Sequence, residues 1–144
     1  MAIYSQGSNT TVVTATAPSF DIKASSTNSP KIMEYGLNLG AATASTYGVG
    51  RPGNDGSVAQ TSPVLLQAEN PSDPAAQSGT AVAWGTAPTV PAIFLRRCYL
   101  PATIGAGIIW TFPRGLTCAV SKGLVNWNIA ASAANTAFWI IADE

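Results

Sequence analysis

Histidine is absent from the 144 residues, which leaves seven carboxylates, three lysines, four arginines, two cysteines and four tryptophans as the groups with chemistry to offer. Without imidazole no Ser-His-Asp or Cys-His nucleophile can be assembled, and the commonest zinc ligand is missing. Lys122 follows Ser121 directly, a pair that can in principle act as nucleophile and base, but no supporting motif surrounds it. Glu34, Glu69 and Asp73 show no pattern that marks a glycosidase dyad, and two further carboxylates, Asp143 and Glu144, sit at the C-terminus. The chain reads as non-enzymatic, with no catalytic residue and no cofactor.

Binding chemistry is easier to place. Gly48-Val49-Gly50-Arg51-Pro52-Gly53 has the glycines of a phosphate loop but lacks the Lys-Ser/Thr ending and the helix that would follow, so it reads as a structured turn. Asp55, Glu69 and Asp73 fall in loops without the regular ligand spacing of a calcium loop, and no metal site is expected. Trp84, Trp110, Trp127 and Trp139 raise the question of sugar stacking. Trp110 and Trp127 share strand faces with aliphatic residues and read as core, whereas Trp139 lies on a strand with one face open to an interface. Arg96 and Arg97 are adjacent in a strand and must point to opposite faces, so one of them needs a partner within the protein or at an interface. Arg51 and Arg114 sit in Pro/Gly loops, where the planar guanidinium suits protein contacts. Cys98 and Cys118 read as buried thiols.

These residues are carried by a chain of unusual polarity. Net charge is zero, charged residues make up 10% and hydrophobic ones 47%. No basic surface for nucleic acid or anionic lipid is expected. A surface of Ser, Thr, Asn and Gln suits permanent contact with neighbours, because burying an amide or hydroxyl costs less than burying an ion. No secretory pattern opens the sequence and no apolar run approaches a membrane span, so synthesis in a cytoplasm is expected and the Asn9-Thr10-Thr11 sequon carries little meaning.

Short strands with Gly/Pro punctuation run the length of the chain. Residues 1–29, rich in Ser, Thr and Ala, read as an extended arm with strand character at Thr10–Thr16 and Phe20–Lys23. From Lys31, Met33, Tyr35, Leu37 and Leu39 share one face, the period-two mark of a half-buried strand. Residues 40–46 read as linker and Tyr47–Gly56 as loop. Further strands are expected at Val64–Ala68, Thr80–Trp84, Ile93–Leu100, Ile108–Phe112 (stopped by Pro113), Gly123–Ile129 and Ala137–Ala142. Eight to ten such strands imply an all-β fold, a jelly-roll-like β-sandwich over residues 30–144 with the arm preceding it, or alternatively an immunoglobulin-like sandwich.

Three segments, Ser29–Gly36, Tyr47–Gly53 and Leu100–Gly115, look like parts of small, histidine-poor virion proteins of tailed bacteriophages. In that respect the chain resembles the capsid cement, or decoration, proteins. The resemblance implies a jelly-roll domain made in the bacterial host cytoplasm that sits on the capsid surface as a dimer or trimer. It would bind over junctions of the major capsid protein, with neither nucleic acid nor membrane as partner. No residue role carries over, because that class shares a fold more than a motif. Contacts are expected from the arm at Tyr4, Val12 and Phe20 and from the loop arginines Arg51 and Arg114. The alternative is a carbohydrate- or receptor-binding module of a tail fibre or other virion appendage.

Overall fold

Alternating side chains between Gly/Pro turns produce strands alone. The computed structural model describes residues 2–10, 14–58, 64–131 and 133–144, and among them it contains thirteen strands and no helix. The first four are β1 (Ile3–Thr10), β2 (Ala17–Lys23), β3 (Lys31–Asn38) and β4 (Ser45–Gly50). Five pieces of two or three residues follow: β5 (Ser57–Val58), β6 (Val64–Leu65), β7 (Gln67–Ala68), β8 (Gly79–Ala81) and β9 (Trp84–Thr86). The last four are β10 (Phe94–Leu100), β11 (Gly107–Thr117), β12 (Gly123–Ala130) and β13 (Thr136–Asp143).

The eight long strands form one doubled-back ribbon, in which β1, β2, β3 and β4 pair antiparallel with β13, β12, β11 and β10 in turn. The ribbon is wound upon itself, because β13 also pairs β3 and β12 also pairs β4. A β-sandwich results, with a first sheet ordered β11-β3-β13-β1-β7 and a second ordered β10-β4-β12-β2-β8-β6; β5 and β9 make a separate ribbon. On one side of the sandwich, β6 belongs to the second sheet and β7 to the first, with Leu66 buried between them. That segment closes the side. The opposite side is left to β10 and β11, each the last strand of its sheet.

Aromatic side chains from both sheets lock the sandwich at its centre. Phe20 of β2 stacks on Phe138 of β13 at 5.4 Å between ring centroids, and Tyr47 of β4 meets the same Phe138 edge-on at 6.1 Å. Each such pair adds roughly 0.5–1.5 kcal/mol beyond its buried area. The Tyr47 hydroxyl reaches Thr136 Oγ1 at 3.1 Å, a further tie between the sheets.

Four expectations change. Residues 1–29 are not an arm, since β1 lies between β13 and β7 and β2 between β12 and β8, inside the two sheets. The linker-and-loop reading of residues 40–56 misses β4, whose residues are all buried. Its glycines are there because a side chain has no room: a Cβ on Gly48 would lie 2.6 Å from Phe94, and one on Gly50 2.6 Å from Pro91. Pro113 does not stop β11; the strand is at the sheet edge, where a missing N–H costs no ladder bond, and its register shifts between Thr111 and Leu116. On β12 the sandwich interior takes Asn126 and Asn128, opposite Val49 and Tyr47, while Val125 and Trp127 lie opposite Gly50 and Gly48 on the outer face. Trp127 is buried all the same, with Val90 of the β9–β10 connection and Phe94 of β10 beside it on that face.

Candidate interaction surface

The open side of the sandwich gathers most of the arginines. A register shift between Phe94 and Arg96 makes Leu95 the extra residue of a β-bulge. The bulge turns Phe94 onto the outer face, where its ring covers Gly48. Arg97, on that same face, sets its guanidinium 5.7 Å from the Phe94 ring centre. Arg96 goes the other way, 5.3 Å from the ring of Phe112 on β11, and donates from Nη1 to the Leu95 carbonyl at 2.8 Å. Opposite faces for the two arginines hold as expected, but both remain exposed and neither relies on a carboxylate. Exposed cation–π contacts of this kind contribute about 0.5–1 kcal/mol each.

Arg114 lies with Arg96, Phe112, Pro113 and Gly115 around a shallow groove of about 390 Å³ between β10 and β11. Arg51, just past β4, donates from Nη2 to the Thr117 carbonyl at the end of β11 at 2.7 Å. Both arginines expected in loops are exposed and on this side, but Arg114 lies within β11 rather than in a loop, because the strand runs on past Pro113. The other three expected contacts do not join them. Tyr4 is buried, its hydroxyl donating to the Pro74 carbonyl at 3.0 Å. Phe20 is in the aromatic centre, and Val12 lies outside the described residues. Arg96 and Arg97 belong to the surface beside Arg51 and Arg114, and the tandem arginine in a strand was the signal for them.

Elsewhere the polar groups serve the fold. Asp55 accepts from the Gly123 amide at 2.6 Å and pairs with Lys122 at 3.4 Å. Glu69 donates its backbone N–H to the Ile3 carbonyl on the far side, so the carboxylates weighed for calcium are not brought together. Among the described residues no group of three metal-ligating side chains occurs. Asp21, buried on the outer face of the second sheet, accepts from Trp84 Nε1 at 2.8 Å. Burial raises its carboxyl to about 6, against smaller opposing effects from the Trp84 hydrogen bond and Lys23. Cys98 and Cys118 are free and buried; burial pushes the Cys118 thiol up to about 11 and raises Cys98 as well.

On the outer face of the first sheet, Trp139 lies over Gly36 and donates from Nε1 to Glu34 Oε1 at 3.0 Å. Its indole is half-exposed beside a carboxylate, as Trp84 is beside Asp21. No protein-family model matches the chain, and no curated protein matches it either.

Proposed function

We propose that this chain is a non-enzymatic virion structural protein, a capsid decoration protein that binds the outer shell of a tailed bacteriophage and stabilises contacts between major capsid subunits. The observation that carries the reading is the open β10–β11 side, where exposed arginines and apolar side chains stand together at the end of both sheets. Such a mixture is what protein interfaces use: arginine and aromatic groups are enriched there and acidic ones depleted. The winding of the eight long strands, front half paired with back half and folded over once, supports a jelly-roll domain. Low charge supports a chain that spends its working life against neighbours. On a shell, many copies with modest contacts reinforce one another through effective concentration.

The test is immunogold labelling of purified phage particles from the source of this sequence, with antibody raised against the chain. Gold on the heads is the expected result. Gold confined to tails would move the protein to an appendage, and particles without label would end the virion reading.

The Trp139–Glu34 pair favours a second reading, a carbohydrate-binding sandwich on a tail fibre or other appendage. An indole beside a carboxylate can stack on a pyranose and accept its hydroxyls. Quenching of tryptophan fluorescence by surface glycans of the host, lost in Trp139→Ala, is its signature.

A further inference from the structure

The zero net charge conceals a segregation along the chain. No Asp or Glu occurs between Asp73 and Asp143, and no Lys or Arg occurs between Arg51 and Arg96. The fold carries Arg96, Arg97 and Arg114 of the first stretch and Glu69 and Asp73 of the second to opposite sides of the sandwich, because β10 and β11 end the two sheets on one side while β6 and β7 end them on the other.

On the first side stand Arg96, Arg97 and Arg114, with Arg51 tied to the end of β11. Among them are apolar side chains left in water: Tyr99 is 77% exposed, Ile93 76% and Ile109 56%. On the other side, Glu69 is exposed at the end of β7, and Asp73 lines a cavity of about 360 Å³ with Leu65, Gln67 and Pro71. There too apolar side chains are exposed, Val64 at 54% and Leu65 at 44%. Each side thus combines apolar side chains with an excess of charge of one sign, Asp55 beside Arg51 being the acidic exception on the first, and the two signs are opposite.

We propose that the occupant of the arginine side is the carboxylate side of a second copy, so that chains dock head to tail. Two arginine sides facing each other would place like charges together, which costs specificity and association rate, whereas the head-to-tail contact matches sign to sign. Pro113 and the bulge at Leu95 blunt the β10 and β11 edges against ladder extension, so recognition runs through side chains. A contact between unlike surfaces leaves each copy with one unused side, and therefore propagates into a ring or a chain. The proposal rests on the assembly reading above but needs no capsid.

Light scattering behind size exclusion tests it on the full chain. The wild type is expected to be larger than a monomer at about 0.05 M salt and to dissociate towards about 1 M, where screening shortens to about 3 Å. Two double variants then separate the geometries, one Arg97→Ser with Tyr99→Ser, the other Val64→Ser with Glu69→Ser. All four positions are exposed, and unchanged melting curves establish that both variants fold. Each variant alone is expected to associate at least about tenfold more weakly. Mixed one to one, each supplies the side that the other lacks, and a heterodimer that grows no further is expected.

Three outcomes would overturn the proposal: a monomeric wild type, a mixture that stays monomeric, or full self-association by either variant alone. A wild-type monomer that still labels phage heads would sink the head-to-tail contact and leave the decoration reading standing. A head-to-tail multimer absent from particles would do the reverse.

Discussion

Trp139 lies so close over Gly36 that a Cβ added to the glycine would fall 2.0 Å from both Cε2 and Cζ2 of the indole. The two residues are direct cross-strand partners between β13 and β3, and the indole is held by its hydrogen bond to Glu34. Gly36→Ala is therefore expected to expel the ring, at a cost of about 1–3 kcal/mol in urea unfolding. In a Trp139→Ala background the same substitution should cost less than half as much. Equal costs in both backgrounds would mean that the glycine makes room for something other than the indole.

Asp21 gives stability a definite pH dependence. Its carboxyl titrates near 6 in the folded protein against an ordinary 3.8, so the native state holds the proton more tightly than the unfolded chain. The stabilisation is fully present below about pH 4 and is lost as pH rises through about 6. A shift of about two units corresponds to at most about 3 kcal/mol. Asp21→Asn keeps an acceptor for Trp84 and removes the titration. The variant is expected to gain on the wild type between pH 4 and pH 7 by about 1–3 kcal/mol. Parallel pH profiles for the two proteins would refute this account.

Asn126 is fully buried on the inner face of β12, and neither its Oδ1 nor its Nδ2 has a hydrogen-bond partner. A desolvated, unpaired amide costs about 1–3 kcal/mol. Asn126→Leu, with the same number and branching of side-chain heavy atoms but two bulkier methyl groups, is expected to leave the fold intact and raise stability by an amount of that order. A loss of more than about 1 kcal/mol in chemical denaturation would show that the amide is satisfied in solution.

Both cysteines are buried thiols whose pKa is raised by that burial, and Cys118 also donates to the Lys122 carbonyl at 3.1 Å. Thiolate is the reactive form, so neither should react with a thiol-specific disulfide reagent at neutral pH in the native state. Two equivalents per chain should react in denaturant. Rapid native labelling of either would contradict the burial.

Deleting residues 1–28 removes β1 and β2 and opens both sheets at interior positions. Phe20, part of the aromatic centre, goes with them. The loss exceeds what a domain of roughly 5–15 kcal/mol can absorb. The truncated chain is expected to show no cooperative thermal transition by circular dichroism. A folded truncated domain would restore the arm.

Local pattern carried the reading wherever strand, face and neighbours agree. The alternation from Lys31 marks β3, with Tyr35 and Leu37 in the core as their spacing implies, but a register shift at Met33 gives its expected core place to Ile32. It failed at β4, because two glycines in four residues look like a loop until Phe94 and Pro91 are seen lying across them. It also placed Trp127 on the right side of the burial boundary for an incomplete reason, since the ring lies on the outer face beside Val90 and Phe94 rather than against the opposite sheet. Arg51 and Arg114 were legible as exposed, although Arg114 lies in β11 and not in a loop. Tyr4 and Phe20 were not legible as core, because polar surroundings in sequence hid their strand partners.

By itself the sequence determined the class of the fold and the absence of imidazole: period-two runs between glycines and prolines build strands, and a chain without histidine assembles no Ser-His-Asp or Cys-His nucleophile and no histidine-ligated zinc site. Tertiary structure alone decided which strands meet, which face of β12 turns inward, and that Arg96 and Arg114 stand on the opposite side of the sandwich from Glu69 and Asp73. The physical reason is range. Alternation is a property of neighbouring residues, whereas strand pairing and the cover over a sheet's outer face join residues far apart in the chain, as Ile3 and Asp143 are joined in the first sheet.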